Sequence, residues 1–179
     1  MKNIDDIAIV MQARLSSTRI PRKMIRSFAG STLVDILFNK LKKSSLIPLR
    51  NMYFSAWDEE LKDIARSHEI TIYNRTEQSA NSEGVQLQEL FDWHNKIPHK
   101  YVIMVSACNP LLDITTIDAF VEHFITSESE NCFAVFEKKT YYWDAEGNNL
   151  TDWKGITSMN TKVVDPVYEA AHCLYASRM

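Results

Sequence analysis

No run of 18 apolar residues occurs in this 179-residue chain, so the sequence predicts no membrane-spanning helix. The first six residues carry acids where a signal peptide needs a basic region followed by an apolar one, and we therefore expect a cytoplasmic protein. The three cysteines are too widely spaced to indicate a disulfide framework or a zinc site. A formal net charge of -3 argues against a general nucleic-acid binder.

Carboxylates are absent from residues 7–34, although the chain as a whole is mildly acidic. An apolar run over residues 7–11 is predicted to be a strand, and it opens directly into a cationic loop. This loop carries five cations within thirteen residues: Arg14, Arg19, Arg22, Lys23 and Arg26. Ligands of open α/β sheets bind outside the carboxyl ends of strands, so the loop predicts a polyphosphate site. The alternative interpretation is a solvated basic loop between two core elements.

Two common phosphate-binding motifs are missing from the cationic loop. It matches neither Gly-x-x-x-x-Gly-Lys-Ser/Thr nor Gly-x-Gly-x-x-Gly, which disfavours an ATPase and a Rossmann dehydrogenase. The polyphosphate would instead be held by the cations and by the small hydroxyl residues between them.

Apolar patterns after the loop predict alternating strands and helices up to about residue 126. Further strands are expected over residues 52–57, 70–73 and 101–105. Helices are expected at four places: after Ser31-Thr32, from Asp58, after the polar loop 74–83, and from Thr115-Thr116. Residues 132–136 and a turn at 141–149 indicate an antiparallel extension. No repeat or linker divides the sequence, so we expect residues 1–179 to form one three-layer α/β/α domain.

The segment Gln12-Ala13-Arg14-x-x-Ser17-Thr18-Arg19-x-Pro21-x-Lys23 resembles the N-terminal signature of the sugar cytidylyltransferases. That family includes the acylneuraminate and 3-deoxy-manno-octulosonate enzymes and the related spore-coat polysaccharide proteins. The Ser-Thr-Arg-x-Pro sequence of this chain is most similar to that of the spore-coat proteins. The resemblance implies a Rossmann-like nucleotidyltransferase fold with a mostly parallel sheet. It also implies transfer of CMP from CTP to an acidic, acylneuraminate-like sugar with release of pyrophosphate, for surface polysaccharide biosynthesis.

The same resemblance implies which residues bind the nucleotide. Lys23 and Arg14 are the implied catalytic residues on the triphosphate. The full implied nucleotide-binding set is Ala13, Arg14, Ser16, Ser17, Thr18, Arg19, Lys23, Arg75 and Ser82. Arg75 belongs to Asn74-Arg75-Thr76-Glu77, which is similar to a family Arg-Pro-x-Glu sequence with Thr76 in place of proline. For residues 79–82 an ordinary helix-capping loop is the alternative.

Two later segments resemble parts of the family that face the sugar, residues 105–112 and 160–175. The implied sugar-binding residues are Ser106, Asn109 and His172, and for His172 a structural role is the alternative. Cys108 occupies the place where the octulosonate enzymes carry a metal-binding aspartate, and we expect it to be a packed thiol.

Magnesium is the cofactor that the resemblance implies, but no aspartate here matches a family metal ligand. Relatives usually continue into an acidic magnesium-binding segment, whereas this sequence ends at Met179, so we expect a C-terminally shortened member. Two functions follow: a CTP-dependent cytidylyltransferase, or a non-catalytic relative that binds a nucleotide, a sugar or a partner subunit. The family resemblance also implies a homodimer. Transfer of another nucleotide, or a glycosyltransferase on a similar fold, remains a third alternative.

Overall fold

A central sheet organises the chain in the computed structural model, which describes residues 1–81, 86–151 and 160–179. Its six strands are β1 (Ile7–Gln12), β2 (Met52–Ala56), β3 (Thr71–Asn74), β4 (Tyr101–Ser106), β5 (Asn131–Lys138) and β6 (Val167–Arg178). They lie in the order β3-β2-β1-β4-β6-β5. The first four strands pair in parallel, and β6 runs antiparallel to β4. The predicted mostly parallel sheet with an antiparallel extension is confirmed.

Both faces of the sheet are covered. Ile7, Ile9 and Met11 of β1 are fully buried on one face, and Ala8 and Val10 are fully buried on the other. On the first face, the rings of Phe38 in helix α1 (Leu33–Leu41) and Phe54 in β2 meet edge to face at 5.0 Å. The rings of Phe124 in helix α4 (Ile114–Thr126) and Tyr101 in β4 meet at 5.8 Å. The second face is covered by Trp93 and Ile97, which completes the three layers.

Capping residues set the starts of the predicted helices. Thr32 caps α1, where its Oγ1 accepts a hydrogen bond from the Asp35 N–H at 3.1 Å, as predicted. Helix α2 (Glu59–Ser67) begins directly after Asp58, also as predicted. Helix α4 begins earlier than predicted, because Asp113 is its N-cap and accepts the Thr115 N–H at 3.1 Å.

The helix predicted after the polar loop is much shorter than expected. Among the described residues, α3 is a single turn, Leu87–Leu90, and the chain leaves helical geometry at Phe91. Trp93 is nevertheless buried, at 3% exposure, against Ala8 and Val102. The apolar spacing therefore identified Trp93 as a core residue but assigned it the wrong backbone geometry, and Leu87, which was expected in the same helix, is 71% exposed.

The chain forms two compact units, residues 1–132 with 173–179 and residues 133–172. In the second unit, Lys138 of β5 and Glu169 of β6 form an ion pair at 3.2 Å. The predicted turn is present there, since Trp143 bridges Asn149 and Asp144 accepts the Asn148 N–H at 2.7 Å. That residues 1–179 behave as one domain stays a prediction.

The two chain ends are both anchored in the first unit. The Lys2 N–H donates to the carbonyl of Ile125 and the Met179 N–H donates to that of Lys100, each at 2.9 Å. Lys100 directly precedes β4, so both ends lie near the amino ends of the parallel strands. None of the described helices is both long enough and apolar enough to cross a bilayer.

Asn51 is a buried polar residue that fixes the start of β1. Its Nδ2 donates to the carbonyls of Ile4 and Ile7 at 2.7 and 3.0 Å, and it is 2% exposed. We expect Asn51→Ala to lower the free energy of unfolding by about 1–3 kcal/mol, because two carbonyls lose their donor. Urea titration measures this, with the exposed Asn39→Ala as control. Equal urea midpoints for the two variants would contradict the assignment.

Candidate functional site

A cavity of about 210 Å³ lies at the carboxyl end of the central strand β1. It is lined by Gln12, Ala13, Arg14, Lys23, Met24, Arg75, Leu90 and Cys108. Gln12 is the last residue of β1, and the Ala13 N–H continues the sheet ladder by donating to the Ser55 carbonyl at 3.2 Å. Arg75 directly follows β3, and its N–H donates to the Ala56 carbonyl at 3.1 Å. The sheet thus positions three of the residues that the sequence singled out: Ala13, Arg14 and Arg75.

The cationic loop is held against the start of α2. The Leu15 N–H donates to Asp58 Oδ2 at 3.1 Å, and Arg22 forms an ion pair with Glu60. Arg22 has a φ of 53°, in the left-handed region, so the chain reverses sharply just before Lys23. This reversal directs the chain so that Lys23, a half-buried side chain, lines the cavity.

Two residues of the loop reach across to the segment after β3. The Arg14 guanidinium donates to the carbonyl of Asn81, and Ser16 Oγ donates to the carbonyl of Ala80 at 3.1 Å. These residues are more than sixty positions apart in the chain, so the contacts tie two walls of the site together.

Arg75 is a buried cation at the cavity, with 3% exposure. Its Nε donates to Ser79 Oγ at 2.7 Å, and its Nη2 donates to the carbonyls of Ser79 and Leu90. Burial is the main cause that lowers the pKa of Arg75 to about 10, while Asp92 opposes the shift and Arg14 adds to it. The guanidinium therefore keeps its positive charge at pH 7, and with Arg14 and Lys23 it makes the cavity strongly cationic.

Other predicted nucleotide-binding residues lie in the adjoining loop. Ser16, Ser17, Thr18 and Arg19 are not among the described residues that line the 210 Å³ cavity. Ser17 Oγ accepts the Ile20 N–H at 3.4 Å, and Thr18 and Arg19 are exposed. Ser82 falls outside the described residues. The roles of these residues stay predictions.

The predicted sugar-binding residues fall in different places. Ser106 ends β4, pairs in register with Gln12, and its Oγ accepts the Cys108 N–H at 3.3 Å. The carbonyl of Asn109 accepts a hydrogen bond from Lys40 Nζ at 3.1 Å. His172 is an exposed residue of the second unit with a φ of 52°. Sugar contacts by these three residues stay predictions.

Sequence reasoning missed several residues that shape this region. Cys108 is exposed and lines the cavity, so the expected packed thiol is wrong. Lys40 of α1 holds the segment after β4 through the Asn109 and Pro110 carbonyls, and burial lowers the pKa of Lys40 against the opposing effect of Asp113. Gln12 belongs to the N-terminal motif that resembles the family, but it was given no role there. Its place in that motif was the signal that could have identified it.

The described residues do not form a metal site made of protein side chains alone. They contain no group of three or more His, Cys, Asp or Glu placed to hold a metal ion. Asp58 and Glu60 are carboxylates that contact the cationic loop, and they are engaged there by the Leu15 N–H and by Arg22. Magnesium therefore stays a prediction from the resemblance.

The sequence matches a known family over most of its length. A sequence model of the family described as "Cytidylyltransferase" matches residues 7–168. The chain is 26% identical over 128 residues to the spore coat polysaccharide biosynthesis protein SpsF of Bacillus subtilis (strain 168), covering 68% of this chain and 51% of that protein. It is 25% identical over 135 residues to a 3-deoxy-manno-octulosonate cytidylyltransferase of Francisella tularensis subsp. tularensis, covering 75% and 52%. The chain spans about half the length of these curated relatives.

Solved structures share the fold at low sequence identity. A CMP:2-keto-3-deoxy-manno-octonic acid synthetase complexed with CTP has a TM-score of 0.70 at 11% identity, covering 97% of this chain and 74% of that one. A 4-diphosphocytidyl-2C-methyl-D-erythritol synthase from Anaerococcus prevotii has a TM-score of 0.61 at 13% identity, covering 98% and 71%. The predicted fold class, an α/β nucleotidyltransferase fold, is confirmed.

Proposed function

Because this chain belongs to the cytidylyltransferase family, we propose that it transfers CMP from CTP to an acidic sugar and releases pyrophosphate. The observation that carries the proposal is the convergence of Arg14, Lys23 and Arg75 on one cavity at the carboxyl end of β1. Three cations in a small cavity suit a ligand with several negative charges, and the matched family transfers cytidylyl groups. The acceptor we propose is a sugar acid of the acylneuraminate type, used in surface polysaccharide synthesis.

In the proposed reaction, an oxygen of the sugar attacks the α-phosphorus of CTP, and the bond to pyrophosphate breaks. The protein's contribution to such a transfer is mostly positioning and neutralisation of charge. Lys23 and Arg14 neutralise the charge on the triphosphate and on the departing pyrophosphate. Arg75 adds a fixed positive charge, because its hydrogen bonds to Ser79 hold the guanidinium in place before any ligand arrives.

Magnesium and a homodimer are further parts of the proposal that rest on the family resemblance, and the cytoplasmic location expected from the sequence is another. A divalent cation bound with the triphosphate would neutralise part of its charge. The described residues offer no cage of protein side chains for this cation. Charge neutralisation by the protein itself comes from Lys23, Arg14 and Arg75.

Calorimetric titration with CTP, ATP, GTP and UTP, each with and without magnesium, tests the proposal first. We expect selective binding of CTP that magnesium strengthens and that Arg14→Ala abolishes. A screen for pyrophosphate release over acidic sugars then identifies the acceptor. Binding of CTP with no turnover on any sugar acid would favour the non-catalytic alternative, and binding of none of the four nucleotides would contradict a nucleotide site.

Cys108 provides an independent probe of where the nucleotide binds. Its thiol is exposed and lines the cationic cavity, whereas Cys173 is buried and Cys132 lies outside the cavity lining. We expect CTP at ten times its Kd to slow alkylation of Cys108 about tenfold, in proportion to the unoccupied fraction. Peptide mass spectrometry measures the rate, with Cys132 as the internal control. Equal labelling of Cys108 with and without bound CTP would place the nucleotide elsewhere.

A further inference from the structure

Gln12 ends the central strand at the floor of the cationic cavity. It follows Ala8 and Val10 at a spacing of two, so its side chain lies on the same face of the sheet as theirs. In register with it are Ser55 of β2 and Ser106 of β4. A polar residue thus ends an otherwise apolar strand at the point where a ligand of this fold class is expected.

Trp93 fixes the orientation of the Gln12 amide. The indole Nε1–H donates to Gln12 Oε1 at 2.7 Å, and Trp93 is held in the core against Ala8, Val10 and Val102. An indole nitrogen can only donate, so the amide oxygen must face Trp93 and the amide NH₂ must face away from it. Gln12 is one of the residues that line the cavity, and no hydrogen bond joins its Nε2 to any of the described residues.

The size of the cavity suits part of a nucleotide and not a whole one. Its volume of about 210 Å³ lies below the 300–1,000 Å³ that is usual for pockets enclosing a whole drug-sized ligand. The cations Arg14 and Lys23 suit phosphates, whereas a neutral amide donor suits the acceptor atoms of a base. Cytosine presents two acceptors side by side, O2 and N3, while the N3 of uracil carries a hydrogen and is a donor.

We propose that Gln12 selects the base of the bound nucleotide by donating from Nε2 to the O2 and N3 acceptor edge of cytosine. Trp93 is the positioning residue, because it prevents the amide from rotating and presenting its oxygen to uracil instead. This inference rests on the proposed function, whose nucleotide it specifies. If uracil is bound in the same position, its N3–H faces the N–H of Gln12 Nε2 in a partly buried site. Both N–H groups then lose a hydrogen-bond acceptor, which disfavours binding.

Gln12→Glu tests the donor directly, because glutamate keeps an oxygen for Trp93 and replaces the NH₂ by an acceptor. We expect the affinity for CTP to fall about 10- to 100-fold and the preference for CTP over UTP to fall at least about tenfold. The ratio of the affinity for CTP to the affinity for UTP is the decisive measurement. CTP and UTP carry the same phosphate charge, so the added carboxylate repels them equally. Calorimetry supplies both affinities without any sugar present.

Trp93→Phe is the second variant, because it keeps an aromatic ring and adds no charge but removes the N–H. We expect it also to lower the preference for CTP over UTP, since the amide is free to rotate, and thermal melting in parallel shows that it is folded. A wild-type preference for CTP over UTP in Gln12→Glu overturns the inference, as does an effect confined to the KM of the sugar. A wild-type protein that releases pyrophosphate from CTP but binds UTP equally tightly overturns the inference and leaves the proposed transfer standing. A protein that binds no nucleotide overturns the proposed function as well.

Discussion

Lys23→Ala is expected to lower kcat/KM of the proposed transfer by about 100- to 1,000-fold, the usual cost of removing one group that stabilises developing charge. Lys23 lines the cationic cavity, and its ammonium makes no hydrogen bond or ion pair with another described residue, so its charge is available to the ligand. Pyrophosphate release, measured with the acceptor sugar found in the screen, gives the rate.

Arg26→Ala is the matched control for this variant. Arg26 belongs to the same loop and carries the same charge, but it is exposed and is not among the described residues that line the cavity. We expect it to keep a rate near that of the wild type, and we expect both variants to melt at the wild-type temperature. Near-normal turnover of Lys23→Ala would remove Lys23 from the mechanism, and equal losses in both variants would indicate only a general effect of loop charge.

Arg75→Met is expected to lower the free energy of unfolding by about 2–4 kcal/mol. The substitution keeps an unbranched apolar side chain but removes the donors that satisfy Ser79 Oγ and the carbonyls of Ser79 and Leu90. Because these acceptors are buried or partly buried, water replaces the lost donors poorly. Urea titration at pH 7 measures the change.

Arg66→Met serves as the control for the Arg75 variant. Arg66 forms ion pairs with Glu59 and Asp63 on the surface of α2, where its side chain is 52% exposed. Exposed pairs of this kind contribute about 0–1 kcal/mol. A loss in Arg75→Met no larger than in Arg66→Met would mean that the buried guanidinium is not needed for the stability of the site wall.

Local sequence patterns predicted those parts of the fold that depend on neighbouring residues. The apolar run before the cationic loop, the Thr32 cap and the near-continuous apolar strand β4 were all readable, because burial on both faces and capping leave marks within a few positions. The cationic loop was likewise visible as a cluster of charge. Arg75 was found through its resemblance to a family segment and not through periodicity.

Contacts between distant parts of the chain could not be predicted from such local patterns. The Trp93 indole reaches Gln12 across 81 positions, and Lys40 reaches the Asn109 carbonyl across 69. The apolar pattern at Leu87, Leu90, Phe91 and Trp93 suggested a longer helix, but the backbone leaves helical geometry at Phe91 and Leu87 is 71% exposed, because apolar spacing alone fixes neither the backbone geometry nor the burial of each residue. His172 was grouped with Cys173 and Leu174 in one block, whereas β6 is divided between the two units at that point.

The anchoring of both chain ends near the amino ends of the parallel strands bears on how this protein can be handled. The Lys2 and Met179 backbones are fixed beside Ile125 and Lys100, at the edge of the sheet opposite the cationic cavity. A purification tag or a biotinylated tether attached at either end therefore leaves the cavity open. Immobilised protein should bind nucleotide with the same affinity as free protein, whichever end is attached to the surface.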